Sequence, residues 1–215
     1  MIYCVEDEDS IRELMLYTLN MAGFEAVGFS ESRTFWDAME SGHPDLIMLD
    51  IMLPGEDGMK RENVDLFQIA QNAVDSVLAS AEKQQIALTL SGEKASYYGI
   101  PQVLYSIVYN LCDNAIKYNR ENGTVDVAVM NTTESVVVTV SDTGIGIPKE
   151  YQDRIFERFY RVDKSHSREI GGTGLGLSIV KHGALIHNAE IRVESTPDMG
   201  TTFTVTFPKP DENQN

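Results

Sequence analysis

Hydrophobic and polar positions follow one pattern over residues 1–59 and another beyond. In the first stretch, short apolar runs alternate with amphipathic helical segments. Met1–Val5 is an apolar strand that ends in the acidic cluster Glu6-Asp7-Glu8-Asp9. Ile11, Leu14, Met15 and Leu19 share one helical stripe, and Ser10 with Glu13 has the S-x-x-E spacing of a helix start. Gly23 closes that helix, Glu25–Phe29 predicts a second strand, and Ser30–Ser41 predicts a second helix closed by Gly42. After Pro44, Leu46–Leu49 predicts a third strand that ends on Asp50. The order βαβαβ implies a parallel sheet with crossover helices.

From residue 60 the pattern changes. Phe67, Ala70, Val74, Val77 and Ala81 recur at helical spacing and predict a helical linker over 60–83. Ile86–Leu90 predicts a short strand. Pro101–Tyr118 predicts a long helix with proline in its first turn, where a missing N–H costs little. Two hairpin-like pairs follow, Thr124–Met130 with Ser135–Ser141 and Ala189–Glu194 with Thr201–Phe207. Between them lie two glycine-rich segments, DTGIGIP and GGTGLGL, separated by a helix-like span; the second runs into an apolar helix, Leu177–Ile186. This irregular alternation over 84–209 fits an α+β sandwich better than a doubly wound sheet. The chain as a whole is α/β, and the polar tail 210–215 is expected to be disordered.

Charge sharpens the division. The 215 residues carry a net charge of −16; residues 1–59 hold −11 of it and the remainder −5. Such a field repels nucleic acid and anionic lipid, which argues against both as partners. No apolar run approaches the roughly 18 residues a membrane span needs. The N-terminus has no basic segment followed by an apolar one, so a cytoplasmic protein without a secretion signal is expected. Cys4 and Cys112 lack metal-type spacing and read as buried, reduced thiols.

In open parallel sheets, sites form beyond the carboxyl ends of the strands. Glu6 and Asp7 end the first strand and Asp50 ends the third, so three carboxylates converge if those strands are neighbours, an oxygen set suited to Mg²⁺. A solvated acidic loop with a helix-capping Asp gives the same pattern. YCVEDEDSIRELMLYTL and PDLIMLDIMLPGEDGM resemble the beginning and middle of a response-regulator receiver, a flavodoxin-like fold. That resemblance covers residues 1–59. It implies Asp50 as phosphoacceptor, Glu6 and Asp7 as the acidic pair holding Mg²⁺, and the Met52 carbonyl as a further ligand. After Met59 two further strand–helix units, with their Ser/Thr and Lys, do not follow. Efficient phosphorylation of Asp50 is therefore not expected, and the third strand is left as an apolar edge able to pair with a second copy or with the other sheet. The junction looks like a fusion of neighbouring genes or an engineered chimera.

The second segment holds the stronger chemistry. At about 100° per residue, Asn110, Asn114 and Lys117 fall within roughly a 60° arc of the long helix. Two carboxamides and an ammonium suit Mg²⁺ and phosphate, although a solvated polar face reads the same way. Asp142, at a strand end, can accept a hydrogen bond from the exocyclic amine of adenine. Gly144 and Gly146 let the backbone approach a flat ring. The second glycine segment, at a loop-to-helix junction, favours phosphate.

In order, NLCDNAIKY, DTGIGIP, IFERFYRVD, GGTGLGLSIVK and GTTFTVTFP resemble the N box, glycine boxes, pre-lid segment and final strand motif of the sensor histidine kinase ATP-binding domain, a Bergerat-fold ATPase. The resemblance spans about 62–209. It implies ATP with Mg²⁺, Asn114 as metal ligand and Asp142 as adenine reader. Asn110, Lys117 and Tyr118 would line the nucleotide, with Thr202 in the final strand motif among the site residues. Arg161 and the loop Gly172-Thr173-Gly174-Leu175-Gly176 would meet phosphates, and 161–173 would be the lid. Residues 60–83 would be the tail of a dimerisation helix. Phe156 and Phe159 read either as core aromatics or as residues that set the lid. None of His43, His166, His182 and His187 is followed by the acidic residue and proline of a kinase's phosphorylated histidine. His43 reads as a turn residue, and His182 and His187 as helix-surface positions. Autophosphorylation on histidine is therefore not expected, and three functions stay open: a kinase domain using a histidine in trans or serving a response regulator, a non-enzymatic ATP-binding relic, and another Bergerat ATPase such as an anti-sigma-factor kinase or a chaperone-type ATPase. The phenylalanine-containing segment and TGLGL favour the kinase type over the last.

Overall fold

The structure is a computed structural model that describes residues 1–39, 42, 44–49, 60–162 and 174–209. The chain forms two compact units, Met1–Met59 and Lys60–Asn215.

In the first unit, β1 (Ile2–Val5) pairs in parallel with both β2 (Ala26–Phe29) and β3 (Leu46–Leu49), as the βαβαβ pattern predicts, in the order β2-β1-β3. Helices α1 (Asp9–Met21) and α2 (Ser32–Met39) make the crossovers. The core is small: Tyr3, Val5 and Phe35 are buried, with Phe29, Ala38, Met39 and Ile47 packed against them. Tyr3 and Phe29 meet edge to face, ring centroids 5.0 Å apart. The expected cap at Ser10 is not the one that forms. The helix starts at Asp9 behind Glu8, whose side chain makes no capping bond, and Ser10 Oγ instead donates to Glu8 Oε1 at 2.7 Å. Within the described residues β3 is bonded on one side only.

The second unit is a two-layer sandwich. Its sheet runs β5 (Ala87–Gly92), β7 (Thr124–Asn131), β8 (Ser135–Asp142), β10 (Gly200–Pro208), β9 (Glu190–Thr196); β5 and β7 are parallel and the other pairs antiparallel. Period-two alternation puts Val125, Val127 and Val129, Val136, Val138 and Val140, and Phe203, Val205 and Phe207 on the buried face. Helices α3 (Leu66–Lys83), α4 (Pro101–Lys117) and α5 (Gly176–Ile186) cover that face, with α4 between the other two. Both cysteines are free and buried; burial first, and then Asp113, pushes the Cys112 thiol up to about 12, so it stays protonated.

Two expectations change here. Residues 60–83 do not form a linker. Glu62–Asp65 is a strand, β4, antiparallel to β6 (Ser96–Gly99), and Asp65 caps α3 by accepting the Phe67 N–H at 3.1 Å. Leu66, Ile69, Ala70, Ala73, Val74, Val77 and Ala81 are buried, and the helix packs on α4, so the unit begins at Lys60 rather than at 84. Helical spacing reveals an apolar face but not its partner. His187 is not on a helix surface either: it is 1% exposed, within a cluster of Tyr97 and Phe207. Its polar neighbours, described below, make that burial tolerable.

Candidate functional site

Helix α4 turns Val103, Leu104, Ile107, Val108, Leu111 and Cys112 inward, which leaves Asn110, Asn114 and Lys117 on another side. Asn110 Nδ2 donates to the Ser106 carbonyl at 2.7 Å, which fixes its amide orientation. The start of α5 then comes up against this face. A Cβ at Gly176 would stand 3.0 Å from Asn110 Oδ1 and 3.3 Å from Asn114 Nδ2, so a side chain there would crowd both carboxamides. Lys117 Nζ pairs with Asp113 Oδ2 at 2.5 Å, one helical turn back, which holds the ammonium in place.

Opposite stands Asp142, the last residue of β8. Its Oδ1 accepts the Gly144 N–H at 2.8 Å and the Thr201 N–H at 3.2 Å. Burial pushes this carboxyl above the usual carboxylate range, while the two amide bonds and Arg120 oppose the rise. The glycine turn behind it is tightly seated. Gly146 has φ +67°, and a Cβ there would come within 2.1 Å of the Thr196 carbonyl. Gly144 is buried beneath the Tyr118 carbonyl. Arg120 ties the turn down, donating from Nε to the Thr143 carbonyl and from Nη2 to the Asp198 carbonyl at 2.9 Å.

These elements enclose a cavity of about 340 Å³, within the range of small-molecule sites. Of the residues expected from sequence, Asn110, Asn114, Lys117, Tyr118, Asp142, Gly146, Arg161, Gly174 and Gly176 line it. Gly144 packs beneath it, and Leu175 contributes the carbonyl that accepts the Ile179 N–H at 3.0 Å in the first turn of α5. Thr202 does not line the cavity. Strand alternation turns Thr201 and Phe203 into the cavity, whereas Thr202 faces the other way and its hydroxyl meets Ser141 Oγ at 2.8 Å. Gly172 and Thr173, like most of the expected lid, lie outside the described residues. The segment's two flanks are joined, since the Phe159 N–H donates to the Gly174 carbonyl at 3.0 Å. Phe156 packs edge to face on Phe203, while Phe159 is 55% exposed.

Sequence reasoning missed Asp113, Asn119, Arg120, Thr201 and Tyr160. The i, i+4 spacing of Asp113 and Lys117 carried a signal for one of them, and period two along β10 for Thr201. Arg120 and Asn119 act through loop backbones that only the folded chain brings together.

In the first unit Glu6 is 6% exposed and accepts the Glu8 N–H at 3.2 Å, and Arg12 Nη1 donates to the Glu6 and Asp7 carbonyls at 2.7 and 3.4 Å. Asp50 and Met52 lie outside the described residues. Among those described, no three His, Cys, Asp or Glu side chains cluster as a metal site. No helix among the described residues is long and apolar enough to cross a membrane.

Comparison with known proteins identifies the family. The family model for histidine kinase-, DNA gyrase B- and HSP90-like ATPases matches residues 99–211, and the model for response regulator receiver domains matches 2–95. The sensor-like histidine kinase SenX3 of Mycolicibacterium smegmatis is 41% identical over 147 residues, 68% of this chain and 38% of that protein. The sensor histidine kinase WalK of Bacillus subtilis is 32% identical over 173 residues, 79% of this chain and 28% of WalK. Among solved structures, the mycobacterial sensor histidine kinase MprB superposes with a TM-score of 0.60 at 26% identity, covering 70% of this chain and 99% of the MprB chain. The catalytic domain of histidine kinase ThkA gives 0.62 at 25% identity, covering 70% and 97%. The chain thus spans well under half the length of the curated relatives it matches.

Proposed function

The chain belongs to the histidine kinase-, DNA gyrase B- and HSP90-like ATPase family, and from that premise we propose that its second unit binds Mg-ATP and donates the γ-phosphoryl group to a histidine supplied in trans. Asp142 carries this reading. Its carboxylate is held by two backbone amides, and it lines the same cavity as Asn110, Asn114 and Lys117. In this role Asp142 Oδ2 accepts the adenine amine, Asn114 offers its carboxamide oxygen to Mg²⁺, and Lys117, Arg161 and the amides at the start of α5 meet the phosphates. Mg²⁺ held by Asn114 would supply charge neutralisation at the phosphates. The bond from the γ-phosphorus to its bridging oxygen breaks, a P–N bond forms, ADP departs and the imidazole proton passes to solvent. Positioning and electrostatics supply most of the catalysis in such a transfer.

Two observations support a trans acceptor: no histidine of the chain is followed by the acidic residue and proline of a phosphorylated kinase histidine, and His187 is buried with both ring nitrogens engaged. The partners this implies are a histidine-bearing dimerisation domain and a response regulator, with the cytoplasm as the compartment. The same observations favour a second reading, a regulatory module that binds ATP without transferring phosphate. Residues 1–59 are read as a receiver half that self-associates along β3 and in which Asp50 is at most a weak acceptor.

Calorimetric titration with ADP and Mg²⁺, repeated on Asp142→Asn, tests the binding step. Binding that the substitution removes supports the site; no binding to the intact chain overturns it. Labelled-phosphate transfer to an added dimerisation domain separates kinase from regulatory module.

A further inference from the structure

His187 follows α5 directly, and both of its ring nitrogens have partners. Nε2 accepts the Ile100 N–H at 3.0 Å, and Nδ1 lies 2.8 Å from the Gly183 carbonyl. An amide N–H must meet a ring lone pair and a carbonyl must meet a ring N–H, so these partners select the neutral ring protonated on Nδ1. Ile100 is the cap residue of α4, and its carbonyl accepts the Leu104 N–H at 3.0 Å to begin that helix. One imidazole therefore ties the end of α5 to the beginning of α4.

The opposite ends of the same two helices frame the cavity. Near its C-terminus α4 carries Asn110, Asn114 and Lys117, and α5 opens at Gly176, against the two carboxamides. One turn before His187, a Cβ at Gly183 would stand 2.9 Å from both Ile107 and Val103, so the helices are in close contact there too. At about 1.5 Å per residue, α5 is a rod of roughly 16 Å. A rod held over its last turn, at Gly183 and His187, cannot slide or roll at its near end independently. The bond to Ile100 thus bears on where Gly176 and Leu177 stand in the cavity.

We infer that His187 is a positioning residue for the nucleotide cavity, setting α5 against α4 through the Ile100 amide, and that protonating its ring uncouples the two helices and weakens nucleotide binding. The inference rests on the nucleotide-binding reading above. Burial holds the His187 ring below the ordinary histidine range, the Gly183 carbonyl pulls it upward, and the Arg61 charge lowers it further. The groups around the ring act in the same sense. Arg61 donates to the Ile186 carbonyl on the helix itself. From β6, Tyr97 Oη donates to the His187 carbonyl at 3.2 Å, and burial keeps that phenol protonated. From β10, Phe207 brings no charge. Neither Arg61 nor Tyr97 favours an imidazolium, so the neutral ring is the resting state and acid is the perturbation.

Two substitutions separate positioning from bulk packing. In His187→Gln the carboxamide oxygen reaches the Nε2 position and keeps an acceptor for Ile100. In His187→Asn the carboxamide reaches only the Nδ1 position and leaves the Ile100 N–H buried without a partner. Affinity for Mg-ADP is measured calorimetrically on the full chain at about pH 8 and about pH 5.5. Amide exchange over 176–180 is followed alongside, without nucleotide. The Asn variant is expected to bind roughly tenfold more weakly at the higher pH. The Gln variant should stay within about twofold of the native chain there and lose less affinity than it does in acid. Exchange at 176–180 should quicken in the Asn variant alone. Equal weakening by both variants, or identical acid profiles for the native and Gln chains, overturns the inference. If the native chain binds no ADP at either pH, the nucleotide reading fails, and unchanged exchange at 176–180 in the Asn variant would by itself overturn the coupling.

Discussion

Helices α1 and α4 are both amphipathic, yet α1 buries none of its 13 residues fully whereas α4 buries eight of 17. Leu14, Tyr17 and Met21 on α1 are 57, 65 and 71% exposed, while Leu104, Ile107 and Leu111 on α4 have no exposed surface. Intrinsic helix tendency does not separate them; their surroundings do. Among the described residues, helix α1 lies on a sheet of three strands, whereas α4 is flanked by α3 and α5 over a sheet of five. An amphipathic face is an offer of burial, and the number of layers that take it up decides how much it stabilises.

The largest effect expected from that contrast is on stability. Leu111→Ala should cost about 2–5 kcal/mol, because it opens a cavity under a well-packed helix. Leu14→Ala should stay within about 0.5 kcal/mol. Denaturant titration of both variants checks this, and equal costs would mean that α1 is covered in solution. The next effect is on binding. Asp142→Asn should lower Mg-ADP affinity by at least about tenfold while the fold persists, and Asn114→Asp should weaken it as well. Unchanged affinity in both would mislocate the site.

A smaller effect concerns pH. Folding depresses the His187 pKa, so the unfolded chain takes up a proton below about pH 6.5 that the folded chain resists. That part of the stability is complete above the unfolded value and declines as the pH falls beneath it. Asp142 has the opposite sign. Its raised pKa makes the folded chain bind the proton more readily, so ionising it costs stability as the pH rises past the unfolded value. Asp142→Asn is therefore expected to raise the unfolding midpoint slightly at neutral pH while removing nucleotide binding. Thermal melts of the native chain and of this variant across pH test both signs. The smallest effect is association through β3: sedimentation should show a weak, concentration-dependent dimer that Leu46→Lys removes, and a concentration-independent monomer would discard that edge as an interface.

Much of the cavity was legible because its chemistry is local. Asn110, Asn114 and Lys117 fall on one face by helical geometry alone, and Asp142 is placed at a strand end by the apolar run before it. Thr202 lies outside the cavity lining because a motif gives a position along the chain, while strand alternation decides the side. Residues 60–83 were misread because their apolar stripe is indifferent to whether another domain or α4 covers it. His187 looked like a surface residue because nothing near it in sequence announces Ile100, 87 positions away.

By itself the sequence determined the βαβαβ order of the first unit, the division near residue 59 and most of the polar and glycine residues that line the cavity, all of which follow from periodicity and spacing within a few turns of chain. Tertiary structure alone decided that α3 joins the second unit, that Thr201 rather than Thr202 enters the cavity, that Arg120 ties down the glycine turn, and that a buried histidine links α4 to α5. Each of those depends on contacts between residues far apart in the chain, and no local pattern encodes which distant surface will supply the missing partner.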